Sequence, residues 1–424
     1  MINKFKYLIT HPLFSGSAVM VLGSNVTNLL NYAYHLVMGR LLGPGNYGEL
    51  AVLISLIGLL GIIPLSFNLV IVRFVSAAHS PKEITGFINW LQKRTILLAL
   101  GILVLITVVS PYLASFLNIE NPLLIVMSAV VFLFMVLTVA NRAVLQGLLR
   151  FKYLTISLIS EYGLRLILGA AFVYLGFSVL GVMFGFIGAV IIAWFLSIKF
   201  MSDYTQGSVK ASTQPNVKSL FLYSVPVLVY TIANTSLYST DLVLVKHFFS
   251  SHDAGIYAAL STLGKIIFFG AGPVAQVMFP IISKRHAQGE DYKKVFLYSL
   301  ILSLLISLAV VLIYWLFPSL SVTILFGSSY LEVAGLLVQF GLFMTLLTLS
   351  SLMVNFYLSI GQTKVVVLPF VAALAQIIGL WFYHSSLEIV VNVSLVVSIA
   401  LFAGLFVYFF SFREQAGLKK SPQR

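Results

Sequence analysis

Four ionisable side chains lie where the sequence offers them no water. Glu161 and Arg165 are four residues apart in an apolar run, so they share one helix face and each can neutralise the other. Lys265 sits in a second such run with no acidic residue three or four positions away. Asp241 closes a polar series, Asn234, Thr235, Ser236, Ser239 and Thr240, about one turn short of the end of its own apolar run. A charge at membrane depth costs on the order of 3 kcal/mol, so each of the four needs a partner or a task. Buried Lys or Arg offsets the charge of a phosphate; a carboxylate beside hydroxyl and amide oxygens suits a proton or a hard cation. Three structural readings stand beside these. Glu161 and Arg165 satisfy each other, Lys265 pairs with Asp241, and Asp241 either snorkels outward or pairs with Lys265 or Lys246.

Other chemistries find little support. There is no cysteine, which excludes disulfides and thiolate sites. The seven histidines form no ligand spacing with carboxylates on one helix, so no metal site is expected. Glu290 and Asp291 are adjacent among Lys and Arg, not a spaced acid–base pair, and no glycine loop cradles phosphate. No enzyme and no resident cofactor are expected; a coupling Na⁺ or H⁺ is the one small ion the residues suggest.

The elements that must carry these residues are membrane helices. Sixty per cent of the 424 residues are hydrophobic, 9% are charged and the mean hydropathy is +1.05. A soluble domain carries about 25% charged residues. Spans of about 20 residues are readable at 16–38, 49–72, 95–117, 123–140, 156–176, 179–198, 221–245, 254–282, 295–317, 331–358, 365–384 and 387–411. Twelve spans put both termini on one side. Of 25 Lys and Arg, 21 fall in the segments on that side and only Arg40 and Lys246 in the loops opposite, with Arg165 and Lys265 inside spans. That asymmetry marks the terminal side as cytoplasmic. The net charge of +13 is thus topological, and nucleic acid is not an expected partner. The basic start, Lys4 and Lys6, precedes a run with no small-x-small cleavage site and reads as a retained first span.

The chain repeats itself. Gly48 and Gly255, His79 and His286, and Pro111 and Pro318 are each 207 residues apart, and a later echo at 149–152 and 361–364 is 212 apart because the loop after Pro318 is longer. Residues 201–218, rich in Ser, Thr and Gln, read as a cytoplasmic linker between lobes at 1–200 and 219–424. In the other long polar segment, Ser80, Pro81 and Glu83 form a capping-box start. Ile84, Phe87, Ile88 and Leu91 then make one apolar face, with Trp90 at headgroup depth, so an interfacial helix is expected there. Pro64, Pro226, Pro273, Pro280 and Pro369 interrupt spans, most densely at Gly270-Ala271-Gly272-Pro273, as kinks or as hinges. Gly43-Pro44-Gly45 reads as a tight outer turn.

Gly39-Arg40-Leu41-Leu42-Gly43-Pro44-Gly45-Asn46-Tyr47-Gly48 resembles the opening motif of polysaccharide transporters of the multidrug/oligosaccharidyl-lipid/polysaccharide (MOP) superfamily. Ile71-Val72-Arg73 resembles their next landmark, and Asp241-Leu242-Val243-Leu244 with Ala254-Gly255-Ile256-Tyr257-Ala258-Ala259 the start of their second half. The resemblance implies an all-α integral membrane protein with twelve helices in two pseudo-symmetric six-helix lobes around a cavity that opens alternately to each side. It implies a plasma-membrane flippase for polyprenyl-(pyro)phosphate-linked oligosaccharides, serving cell-surface polysaccharide or glycan synthesis. Cavity cations bind the lipid phosphate in that family. Here the role falls to Arg40 and Arg73 by motif and to Arg165 and Lys265 by depth, with Asp241 and Glu161 as coupling-ion or ion-pair residues. Two other readings stay open: a cation-coupled exporter of small amphiphiles, and a non-transporting scaffold among polysaccharide-synthesis enzymes.

Overall fold

The computed structural model describes residues 12–77, 80–202 and 217–418, and every element among them is helical. The first part contains α1 (Pro12–Ala77), α2 (Pro81–Phe116), α3 (Leu123–Gly147), α4 (Phe151–Tyr174) and α5 (Ser178–Phe200). The second contains α6 (Val217–Phe248), α7 (Ser251–Ala287), α8 (Lys293–Leu316), a short α9 (Pro318–Leu325), α10 (Leu337–Ser359), α11 (Val367–Phe382) and α12 (Leu387–Leu418). Among the described residues, ten helical stretches are long and apolar enough to cross a membrane. The chain is a multi-pass membrane protein.

Its helices are apolar on the outside. In α8, Leu297, Leu305, Leu312 and Ile313 are exposed, while the buried face carries Ser303, Ser307, Val311 and Tyr314. Water would oppose that distribution; lipid permits it, and small residues inside let helices approach closely. Gly185 of α5 shows how closely: a Cβ there would lie 2.7 Å from the backbone nitrogen of Gly169 on α4. Gly264 of α7 is likewise packed against the ring of Phe340 on α10.

The expected turn at 43–45 is one residue long. Gly43 alone leaves helical geometry (φ 71°, ψ 173°), and the helix resumes at once, so the first two apolar runs share α1. Glycine reaches that φ without a Cβ clash, and the fixed φ of Pro44 suits the restart. By contrast, α7 passes through Gly270–Pro273 without a break, as a helix that tolerates its prolines.

Two compact units divide the chain, Met1–Ser224 and Val225–Arg424. Most of the expected linker, residues 203–216, lies outside the described residues, as does His79 of the repeat. The Pro111–Pro318 anchor has different local structure in each unit. Pro111 lies inside α2, whereas Pro318 opens α9 after Phe317 breaks the helix. The extra length after Pro318 is taken up by α9, Gly327 (φ 99°) and a 3₁₀ segment, Ser328–Leu336.

The interfacial helix expected at 81–94 is corrected. These residues are the first turns of α2, and Ile84, Phe87 and Ile88 are buried on Ile71, Val75, Ala143, Val144 and Leu154. The stripe met the ends of α1, α3 and α4 before it could meet headgroups. Its start is as the residues suggest: Ser80 Oγ accepts the Glu83 N–H at 3.2 Å.

Candidate functional site

The buried face of α4 is polar. Ser157, Glu161, Arg165 and Gly169 recur every four residues along it, and all are buried. The expected Glu161–Arg165 pair does not form. Glu161 Oε2 instead takes Arg142 Nη2 of α3 at 2.7 Å. Arg142 also donates from Nε to Ser157 Oγ at 3.0 Å and from Nη2 to the Ser157 carbonyl at 2.8 Å. Arg142 lies just past the span read at 123–140, and its fork geometry makes it the better partner for a carboxylate one helix away.

Arg165 is therefore left without a counter-charge from Glu161. Its guanidinium carbon lies 3.9 Å from the ring centroid of Tyr34 (α1) and 3.9 Å from that of Phe186 (α5). Two aromatic faces hold the cation by cation–π attraction, worth about 2 kcal/mol each when desolvated. Its edge is different. Nε and Nη2 are buried and have no hydrogen-bond partner among the described residues, and the Tyr34 hydroxyl is in the same state. Unmet buried donors cost about 1–3 kcal/mol each. The arrangement fixes a planar cation with its faces covered and its donor edge unsatisfied, a geometry suited to an oxyanion.

In the second unit, Asp241 is fully buried. Its Oδ2 accepts the Tyr257 hydroxyl at 2.7 Å and its Oδ1 accepts the Leu242 N–H at 2.8 Å. Lys265 is the cation whose charge it feels, yet the two form no ion pair within 4.0 Å. The Lys265 ammonium instead lies 5.7 Å from the ring centroid of Tyr238. Lys246, also fully buried, donates to Ser251 Oγ. Arg40 is exposed, and the side chain of Arg73 lies outside the described residues. Among the described residues no cluster of His, Asp and Glu has a metal-binding arrangement.

Sequence reading missed three contributors: Arg142, Tyr34 and Phe186. Arg142 was findable, since a buried carboxylate on α4 has a second cation to choose from nearby. Tyr34 and Phe186 carry no signal of their own in a chain with 20 Tyr and 34 Phe.

No curated protein matches the sequence significantly. Solved structures do match the fold. A lipid II flippase, MurJ, in an inward closed conformation aligns with a TM-score of 0.71 at 14% identity, over 93% of this chain and 87% of that one. An inward-facing multidrug resistance transporter of the MATE family, in the MOP superfamily, aligns at 0.68 and 16% identity, over 93% and 96%. An outward-facing MATE transporter aligns at 0.59 and 18% identity, over 98% of both chains. The family model for polysaccharide biosynthesis proteins matches residues 13–286, well over half of the chain and the whole stretch that carries the Gly39–Gly48 motif, Arg165 and Asp241. By that match the chain belongs to the polysaccharide biosynthesis protein family, with a fold similar to those of the MATE and MurJ structures.

Proposed function

We propose that the protein is a flippase that moves polyprenyl-(pyro)phosphate-linked oligosaccharides across the plasma membrane by alternating access. The family match supports the substrate class, and the single observation that carries the chemistry is Arg165. A buried guanidinium held between two rings, with donors on its edge unmet, is matched by a lipid phosphate, the part of the substrate that hydrocarbon rejects. Lys265, by its depth in the second unit, and Arg40 and Arg73, by motif, are each further candidates for a phosphate contact. Twelve spans in two six-helix lobes, with both termini cytoplasmic, complete the reading, and polysaccharide-synthesis enzymes are its partners on the cytoplasmic side.

A cation-coupled exporter of small amphiphiles is the second reading, favoured by Asp241. Glu161 is committed to Arg142, so coupling to Na⁺ or H⁺ rests on Asp241 in either reading. Purified protein in liposomes, given a fluorescent undecaprenyl-pyrophosphate oligosaccharide and an enzyme confined to the outside, separates the readings. Flipping supports the first. Export of amphiphilic cations without glycolipid movement supports the second, and movement of neither supports a scaffold.

A further inference from the structure

A row of uncharged polar side chains runs along α6 at four-residue intervals, Tyr230, Asn234 and Tyr238, on one helix face. Ser351 and Asn355, one turn apart on α10, meet it. Ser351 Oγ donates to Asn234 Oδ1 at 2.6 Å, and Asn355 Nδ2 donates to Tyr230 Oη at 3.2 Å and to the Ser351 carbonyl at 2.8 Å. Tyr230 Oη donates to that same carbonyl at 3.3 Å. These bonds fix all four side chains, yet each carboxamide keeps one atom unused. Among the described residues, Asn234 Nδ2 has no acceptor and Asn355 Oδ1 no donor, and both residues are only partly buried. Exposed to hydrocarbon, such groups would carry a desolvation cost with nothing to offset it. A partner that hydrogen-bonds would remove that cost.

We propose that this row is a carbohydrate subsite for a neutral pyranose. A sugar hydroxyl is both donor and acceptor, so adjacent hydroxyls answer a free amide N–H₂ and a free amide oxygen together. No cation belongs to the four-residue network, which disfavours an acidic sugar. One turn along, the ring of Tyr238 lies 5.1 Å from that of Phe268, and the Lys265 ammonium lies 5.7 Å from the Tyr238 centroid. The order along the unit is thus sugar ligands, aromatic ring, cation, which is the order of glycan and phosphate in a glycolipid head. The assignment rests on the flippase reading and adds the substrate class at one end of it. Its rival is that the network only glues α6 to α10.

The chain has no cysteine, so Asn234→Cys gives a single reactive thiol. The full-length variant in liposomes is labelled with N-ethylmaleimide, alone, with undecaprenyl-pyrophosphate carrying a neutral N-acetylglucosamine–hexose disaccharide, or with undecaprenyl-pyrophosphate itself. The expected result is ready labelling that the glycolipid slows about five-fold or more near saturation while the sugar-free carrier does not. In parallel, Asn234→Leu/Asn355→Leu should lower glycolipid affinity about ten-fold, to that of the sugar-free carrier, with carrier binding unchanged. An unreactive thiol, equal protection by both lipids, or full glycolipid affinity in the double variant would overturn the subsite. If the wild type still binds and flips the glycolipid, the flippase reading survives that result; if it does neither, both fall.

Discussion

At the scale of single residues, one carboxylate between two arginines decides the electrostatics of the first unit. Glu161 neutralises Arg142, and Arg165 keeps two buried N–H groups without a hydrogen-bond partner among the described residues. Two predictions separate these roles. Glu161→Gln should destabilise the protein by about 3 kcal/mol, because it leaves Arg142 buried and unpaired, and adding Arg142→Met should restore most of that loss. Thermal unfolding in detergent reads both; a single variant as stable as the wild type would contradict the pairing. Arg165→Lys keeps the charge but loses the flat faces that Tyr34 and Phe186 hold. It should fold normally and retain little transport, whereas a purely electrostatic role predicts near-full activity. For Asp241, replacement by Asn should leave a stable protein that no longer responds to a Na⁺ or pH gradient if the carboxylate couples transport. Failure to accumulate, rescued by Lys265→Met, would make it a structural partner of Lys265 instead. That Glu161, Arg165 and Asp241 would be buried charges was legible from the apolar runs around them; that Arg142 and Lys246, read at a span end and in an outer loop, would be buried too was not. Which charge meets which was not, because a four-residue spacing on one helix competes with partners on the next, and one sequence does not contain the inter-helix register.

Among the elements, α4 and α5 approach most closely where glycines face each other. A methyl group at Gly185 would press on the backbone of α4 beside Gly169, one turn from Arg165. Gly185→Ala should therefore cost about 1–3 kcal/mol and disturb the Arg165 sandwich, since Phe186 is its neighbour. Gly188→Ala, which meets only a leucine methyl at 3.4 Å, should be mild by the same unfolding measurement. Similar losses at the two positions would show that the α4–α5 contact is looser than described. At this scale the helices and the Ser80 cap were readable, because apolar length and capping chemistry are local. The fate of the 81–94 face was not. An apolar stripe is the same string of residues whether it ends against lipid headgroups or against Ile71, Val75 and Val144.

For the whole molecule, the repeat and the charge asymmetry make a topological claim open to direct test. Cysteines introduced at Ser212 and Ser386 should label from opposite sides of the membrane, Ser212→Cys only from the cytoplasm. Labelling of both from one side would end the twelve-span arrangement. The internal repeat predicted related halves, and the two compact units divide near residue 224. Their local differences, such as the break at Phe317 that Pro111 does not share, lay beyond what a 207-residue offset can convey. In the proposed function a ring-clamped arginine receives the phosphate of a glycolipid as it crosses. Flipping of fluorescent undecaprenyl-pyrophosphate oligosaccharide by purified wild-type and Arg165→Met protein, reconstituted at equal density and shown to be equally folded, tests it most directly. Wild type should give rapid protection of the glycolipid from an outside enzyme, or exposure to it according to direction, and Arg165→Met none above protein-free liposomes. Equal rates for the two proteins would contradict it.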